Sequence, residues 1–322
     1  MRTLLASIPV AVLGLVLGCS SEPAADGWGD TAGKPRVIAS FAPIWCFAEN
    51  VAGPDAVVKP LMTGQGPHHF DGTATQARLF QKADLVLVNG LGLDDKRVKK
   101  LADASRNKNL KVIDLGGKLD PKTLLESDGC PCGHDHGDDD GHDHGGVDPH
   151  VWLGPDQAVK MVEGIRDALK AADPAHAAGY DGRAAAYIAK LTALKDEGKA
   201  LLKDKTDRKL VTFHGSQNYF ANAFGLKIAG VVQSTPGKEP SAKELDALVA
   251  ACSKDKVRVI AVEPQYASKS AAERIVAHLK GVPDPVVIAL DPLETASESE
   301  LNADWYVAKM RANLAELAKA MR

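Results

Sequence analysis

Aromatic residues make up only 5% of the chain, and no glycine-rich phosphate loop is present. Gly90-Leu91-Gly92-Leu93 follows a strand-like run, but the third glycine and the acidic partner of the dinucleotide fingerprint are missing. Nucleotide chemistry is therefore left without a motif. There is no His-Glu-x-x-His helix and no Gly-x-Ser-x-Gly elbow, two common signatures of hydrolases. Neither sign of charge dominates: 39 Lys and Arg against 42 Asp and Glu leave a net charge of −3. Such a balance implies no nucleic-acid-binding surface. Beyond the first 18 residues, no apolar run is long enough to span a bilayer. What is present is 322 residues, 45% of them hydrophobic, enough for two lobes of about 150 residues each.

The N-terminus has the proportions of an export signal. Arg2 precedes an apolar run over 4–18, too short for a comfortable transmembrane helix. The run ends in Val16-Leu17-Gly18-Cys19, which resembles a bacterial lipobox. That resemblance implies lipidation of Cys19, a mature chain that starts there, and attachment to a bacterial membrane facing the periplasm or the cell surface. Residues 1–18 are then a lipoprotein signal, and the polar stretch 19–35 a tether. Export permits disulfides, yet no pairing of Cys46, Cys130, Cys132 and Cys252 can be deduced from spacing.

From residue 36 onward, strand-like and helix-like stretches alternate. Short β-branched runs at 36–41, 56–61, 84–88 and 111–115 enclose helical patterns at 44–51, 75–82 and 95–106. The alternation predicts an α/β fold with mostly parallel sheets flanked by helices. Residues 36–173 form the expected N-terminal lobe, interrupted by a His/Asp-rich loop at about 130–146 that has no apolar side chain to pack. A helix is expected over 155–172. Apolar residues recur at helical spacing from Pro174 to about residue 204, so one long helix over 174–207 joins the lobes. At about 30 residues it would span about 45 Å. Strands at 209–213, 227–231, 257–262 and 286–290, with helices at 241–253, 268–279 and 301–321, make a C-terminal lobe over 208–322.

The chain has ten histidines. His134, His136, His142 and His144 lie in the acidic loop, where alternating imidazoles and carboxylates form an auxiliary, weak metal-binding tract. A solvated spacer is the plainer reading of that tract. His176 and His278 fall within predicted helices and read as surface residues. His68, His150, His214 and the carboxylate Asp291 stand at loops or strand ends. Ligands of open α/β sheets bind beyond the carboxyl ends of strands. Two facing lobes could bring these four residues together, and three imidazoles with one carboxylate suit tetrahedral Zn²⁺. Ten histidines allow many such combinations, and spacing alone does not select one.

Motifs in order do select one. Gly64-Gln65-Gly66-Pro67-His68-His69-Phe70-Asp71, with Ala83–Gly90 downstream, resembles the first metal motif of the zinc/manganese substrate-binding lipoproteins of ABC importers. Asp148-Pro149-His150-Val151-Trp152-Leu153-Gly154-Pro155 resembles the second. Phe213-His214 with Tyr219-Phe220 and Gly225-Leu226 resembles the third, and Glu263-Pro264-Gln265-Tyr266 with Leu290-Asp291-Pro292-Leu293 the fourth. The resemblance runs from about Val37 to the C-terminus. It implies two lobes joined by one rigid long helix, with the metal in the cleft and no enzymatic reaction. It implies His68, His150, His214 and Asp291 as ligands, with Glu263 orienting His214 or His150 through a hydrogen bond. His69 stands beside the first ligand as a bystander or its substitute. It also implies an importer permease as partner, a membrane reached through a lipid anchor, and a monomer. Gly154 departs from the aspartate more usual in the second motif, and Trp45-Cys46 from the Tyr and Asp often found in the first helix.

His214 points to Zn²⁺, since imidazole suits zinc whereas carboxylate and water suit Mn²⁺; the resemblance implies the same from the histidine-rich loop, which zinc members of that family often carry. The alternatives are a manganese-binding member of the same family, a metal-dependent adhesin on the same fold, and a zinc hydrolase with water on an open fourth position.

Overall fold

The computed structural model describes residues 27–127, 146–233, 240–264 and 270–322. Cys19, Cys130, Cys132 and the loop histidines His134, His136, His142 and His144 lie outside the described residues.

Two four-stranded parallel sheets organise the chain. The first holds β1 (Arg36–Ala39), β2 (Val57–Pro60), β3 (Leu85–Val88) and β4 (Lys111–Asp114) in the order β2-β1-β3-β4. The second holds β5 (Lys209–Thr212), β6 (Lys227–Val231), β7 (Val259–Val262) and β8 (Val286–Ala289) in the order β6-β5-β7-β8. Every pairing in both sheets is parallel. Parallel strands require crossover connections, and helices supply them. The first sheet is linked by α1 (Ala42–Ala52), α2 (Ala74–Phe80) and α3 (Asp95–Ala104). After α4 (Pro155–Ala172) and α5 (Ala177–Leu201), the second is linked by α6 (Asn218–Phe224), α7 (Ala242–Asp255) and α8 (Ser270–His278), and α9 (Trp305–Ala320) closes the chain.

The near-continuous apolar strands are covered on both faces, as parallel strands generally are. In β7, Val259 and Ala261 join the large core shared with α4, α5 and α9. Ile260 and Val262 join a second core with Val211, Phe213, Leu245, Ala272 and Ile275. Period-2 alternation thus sends one strand into two cores.

The long helix is shorter than its sequence pattern suggests. Pro174–His176 form a 3₁₀ turn, and α5 runs for 25 residues from Ala177. That length is about 38 Å at 1.5 Å per residue, and along it α5 packs against α1, α4, α6 and α9. Lys195 pairs with Asp156 of α4 at 2.6 Å, and Glu197 pairs with Arg311 of α9 at 2.8 Å. Gly198 permits the close approach: a Cβ there would sit 2.4 Å from the Phe224 ring and 2.8 Å from Leu314.

The sequence pattern does not mark α6. Its seven residues, NYFANAF, are too few for two turns of amphipathic spacing, and the Gln217 side chain before it accepts no capping hydrogen bond. The available signal is Gly225, which ends the helix in the left-handed region at φ 66°. Among the described residues, no helix is long and apolar enough to cross a membrane.

Candidate metal centre

Three histidines meet at the carboxyl ends of the strands. His68 lies in a 3₁₀ turn, Pro67–His69, seven residues past the end of β2. His150 immediately precedes a second 3₁₀ turn, Val151–Leu153, which leads into α4. His214 follows β5 by one residue beyond Phe213. The fourth member is Glu294, five residues past β8. One potential ligand atom from each of the four residues lies within 4.8 Å of the others.

The spacing is that of a coordination shell. Glu294 Oε1 stands 3.5 Å from His68 Nε2, 3.6 Å from His150 Nε2 and 3.3 Å from His214 Nε2. His68 Nε2 and His150 Nε2 are 3.4 Å apart. Zinc bonds of about 2.0–2.2 Å in a tetrahedron place ligand atoms about 3.3–3.6 Å apart. His214 Nε2 and Glu294 Oε1 are buried and make no hydrogen bond. Buried polar atoms normally have partners. Two such orphans that face each other at ion-pair distance suit a shared cation.

The backs of two imidazoles are held. His150 Nδ1 lies 2.7 Å from Asp148 Oδ1, which also accepts the His150 backbone N–H at 2.9 Å. His214 Nδ1 is hydrogen-bonded to Glu263 Oε1, which also accepts the His214 backbone N–H at 3.2 Å. A carboxylate on Nδ1 fixes the tautomer that leaves Nε2 as the lone-pair donor, and it raises that donor's basicity. Both carboxylates are buried, at 1% and 3% exposure. Burial pushes the His68 ring down to about 4, only partly offset by Glu294. For His214, burial acts in the same direction, but the Glu263 and Glu294 carboxylates outweigh it and raise the ring well above its ordinary value. The cleft thus holds concentrated negative charge around the imidazoles, which favours a divalent cation.

Asp291, expected as the fourth ligand, stands outside the cluster. Its Oδ1 accepts the backbone N–H of Leu293 at 2.8 Å, and its Oδ2 pairs with Lys309 at 3.0 Å. This is an Asx turn, in which the side chain caps the backbone two residues on. It holds Leu293 at φ 59° and turns the chain so that Glu294 enters the cleft. Asp148 is the other residue that motif reading left without a role; an aspartate two positions before the motif histidine His150 is its signal. Glu263 stands behind His214 rather than in the cluster. His69 closes the same turn as His68, and its side chain lies outside the described part. His176 pairs with Asp173 at 2.6 Å on the surface and is not in the cluster. Gly154 departs from aspartate where space is short, since a Cβ there would lie 3.2 Å from that of Tyr219.

Asp94 supports the His150 segment from below. Its fully buried carboxylate accepts the N–H groups of Asn89 and Gly90 at 3.0 and 2.9 Å. Asn89 Nδ2 in turn donates to Pro149 O at 2.9 Å. Burial raises the Asp94 carboxyl to about 6, against the opposing hydrogen bonds. A folded-state value above the unfolded one stabilises the fold at low pH, and that stability is lost as pH rises through the folded value. Between pH 7 and pH 5 the group contributes about 1.4 kcal/mol. The difference in unfolding free energy between the metal-free protein and its Asp94→Asn variant should shift by about that amount over this interval. Denaturant titrations at both pH values check it, and an unchanged difference refutes it.

The chain matches the ZnuA family, described as zinc-uptake complex component A periplasmic, over residues 37–320. It belongs to that family. Zinc-binding lipoprotein AdcA of Streptococcus pneumoniae serotype 4 is 33% identical over 308 residues, covering 94% of this chain and 58% of that protein. The chain therefore spans little more than half the length of this curated relative. The crystal structure of the Zn(II)-bound ZnuA-like domain of Streptococcus pneumoniae AdcA superposes with a TM-score of 0.70 at 31% identity, covering 89% of this chain and 99% of that one. The Pseudomonas aeruginosa solute-binding protein FpvC in complex with Mn²⁺ superposes with a TM-score of 0.76 at 27% identity, over 89% of this chain and 98% of that one.

Proposed function

We propose that this chain is the extracytoplasmic Zn²⁺-binding component of an ABC metal importer, which captures the ion in the cleft and delivers it to a membrane permease. The observation that carries this reading is the set of half-buried His68 with buried His150, His214 and Glu294, whose donor atoms are spaced as the edges of a zinc tetrahedron. Three imidazoles to one carboxylate favour zinc over manganese. Glu294 fills the fourth position, so no open site remains for an activated water, and binding rather than hydrolysis follows.

The remaining organisation belongs to the same proposal. Residues 1–18 act as a lipoprotein signal, Cys19 carries the lipid, and 19–35 is the tether. Residues 36–173 and 208–322 are the two lobes, joined through 174–207, and the protein works as a monomer. The His/Asp-rich tract offers extra, weaker ligands.

The test is elemental analysis of untagged full-length protein, followed by competitive titration with Zn²⁺ and Mn²⁺. One tight zinc equivalent per chain is expected, with weaker equivalents that vanish when 133–145 are deleted. Tight binding of manganese in preference to zinc would move the chain to the manganese branch. Loss of the tight equivalent on deletion would place the principal site in the loop.

A further inference from the structure

The ligands come from opposite lobes, and one side chain spans the gap between their segments. Trp152 is two residues past His150, and Pro292 is two residues before Glu294. The buried indole N–H of Trp152 donates to the Pro292 carbonyl at 2.9 Å. The indole also packs against the His150 ring, with centroids 5.2 Å apart, and meets Phe41 edge-on at 4.9 Å. In return, the Tyr306 hydroxyl of α9 donates to the Trp152 carbonyl at 2.6 Å. Reciprocal cross-lobe hydrogen bonds therefore converge on one residue of the His150 segment.

The turn that Trp152 grips is strained. Leu293, between Pro292 and Glu294, has φ 59°, a left-handed conformation that disfavours any side chain with a Cβ. From its own lobe it is held by the Asp291 carboxylate and by Asn313, whose Nδ2 donates to Asp291 O at 2.7 Å. Across the lobes, the Trp152 indole holds it before Glu294, and the Gly64 N–H, bonded to Ala296 O at 2.8 Å, holds it after. A strained turn persists only where its surroundings over-determine it. Removing one tether lets it relax, and the residue it carries is the fourth ligand.

Resting on the metal-site reading above, we infer that Trp152 is a positioning residue: its indole N–H fixes Glu294 relative to His150, so that the carboxylate joins and leaves the site in step with lobe register. Without that bond, Glu294 drifts from the three imidazoles and the site opens to water. The consequence is a change of coordination as well as of affinity.

The experiment compares wild type, Trp152→Phe and His214→Ala in full-length protein. Each is titrated with Zn²⁺ against a competing chelator and loaded with Co²⁺ for visible spectroscopy. Phenylalanine keeps an aromatic ring against His150 and removes the donor. Zinc affinity should fall roughly 10–100-fold, the range for loss of a group that orients ligands. The intense visible bands of four-coordinate cobalt should weaken and shift to the blue as water enters. A general loosening of the core would lower the thermal midpoint without changing the cobalt spectrum. Wild-type affinity and an unchanged spectrum in Trp152→Phe, with His214→Ala crippled, overturn the inference and leave the metal site standing. An unaffected His214→Ala removes the site and this role with it. If Trp152→Phe fails to unfold cooperatively, Tyr306→Phe replaces it. It removes only the hydroxyl on the Trp152 carbonyl and should move the spectrum in the same direction by a smaller amount; no movement overturns the inference.

Discussion

His214→Ala is expected to lower zinc affinity by about 10²–10³-fold while the chain stays folded. Tetrahedral structural zinc sites bind with about 10–16 kcal/mol, or about 2.5–4 kcal/mol per ligand, and each 1.4 kcal/mol is tenfold. His214 should lie at the upper end, because Glu263 holds its ring on one side and Glu294 faces it on the other. The alanine variant loses one donor and the imidazole that Glu263 faces. His150→Ala should behave alike, since Asp148 plays the corresponding part there. His176→Ala and His278→Ala are the controls. The first histidine pairs with Asp173 on the surface, and the second sits beside the Arg274 carbonyl at the end of α8. Chelator competition measures affinity, and thermal unfolding of the metal-free proteins checks the fold. If the cleft variants bind as tightly as the controls, the site between the lobes is wrong.

How much of this site was legible in the sequence differs from residue to residue. The strands were readable because parallel strands buried on both faces are short apolar runs, and Leu85–Val88 and Val259–Val262 are clear examples. The sequence places His68, His150 and His214 just past such a run or beside a proline turn, and the structure brings the three together with Glu294. The sequence did not single out Glu294 itself. Two carboxylates, Asp291 and Glu294, follow β8 within five residues, and a resemblance anchored on the strand end favours the nearer one. Which of them enters the cleft depends on the backbone direction after Pro292. The left-handed Leu293 sets that direction, and strand periodicity carries no information about it. Trp152 and Tyr219 were visible only as motif aromatics. Their hydrogen bonds to Pro292 O and Asp148 O join residues far apart in the chain and need the packed lobes to exist.

Glu294→Ala should therefore be as damaging as loss of a histidine, about 10²–10³-fold in zinc affinity by the same division among four ligands. The variant keeps the Asx turn and its anchors, so the metal-free protein should unfold near the wild-type temperature. Asp291→Ala should show the opposite balance. It removes the cap on Leu293 and the Lys309 pair, interactions worth together about 1–3 kcal/mol. At about 2–4 °C per kcal/mol, the metal-free midpoint should drop by several degrees. Zinc affinity should fall by roughly tenfold, through looser presentation of Glu294 rather than loss of a donor. Paired measurement of affinity and apo-protein midpoint separates the two roles, because a ligand and a turn-former fail in different columns of the same experiment. If Asp291→Ala is the variant that loses zinc by hundreds-fold with an unchanged midpoint, the carboxylate at the strand end is the ligand after all, and the Leu293 turn must rearrange when metal enters.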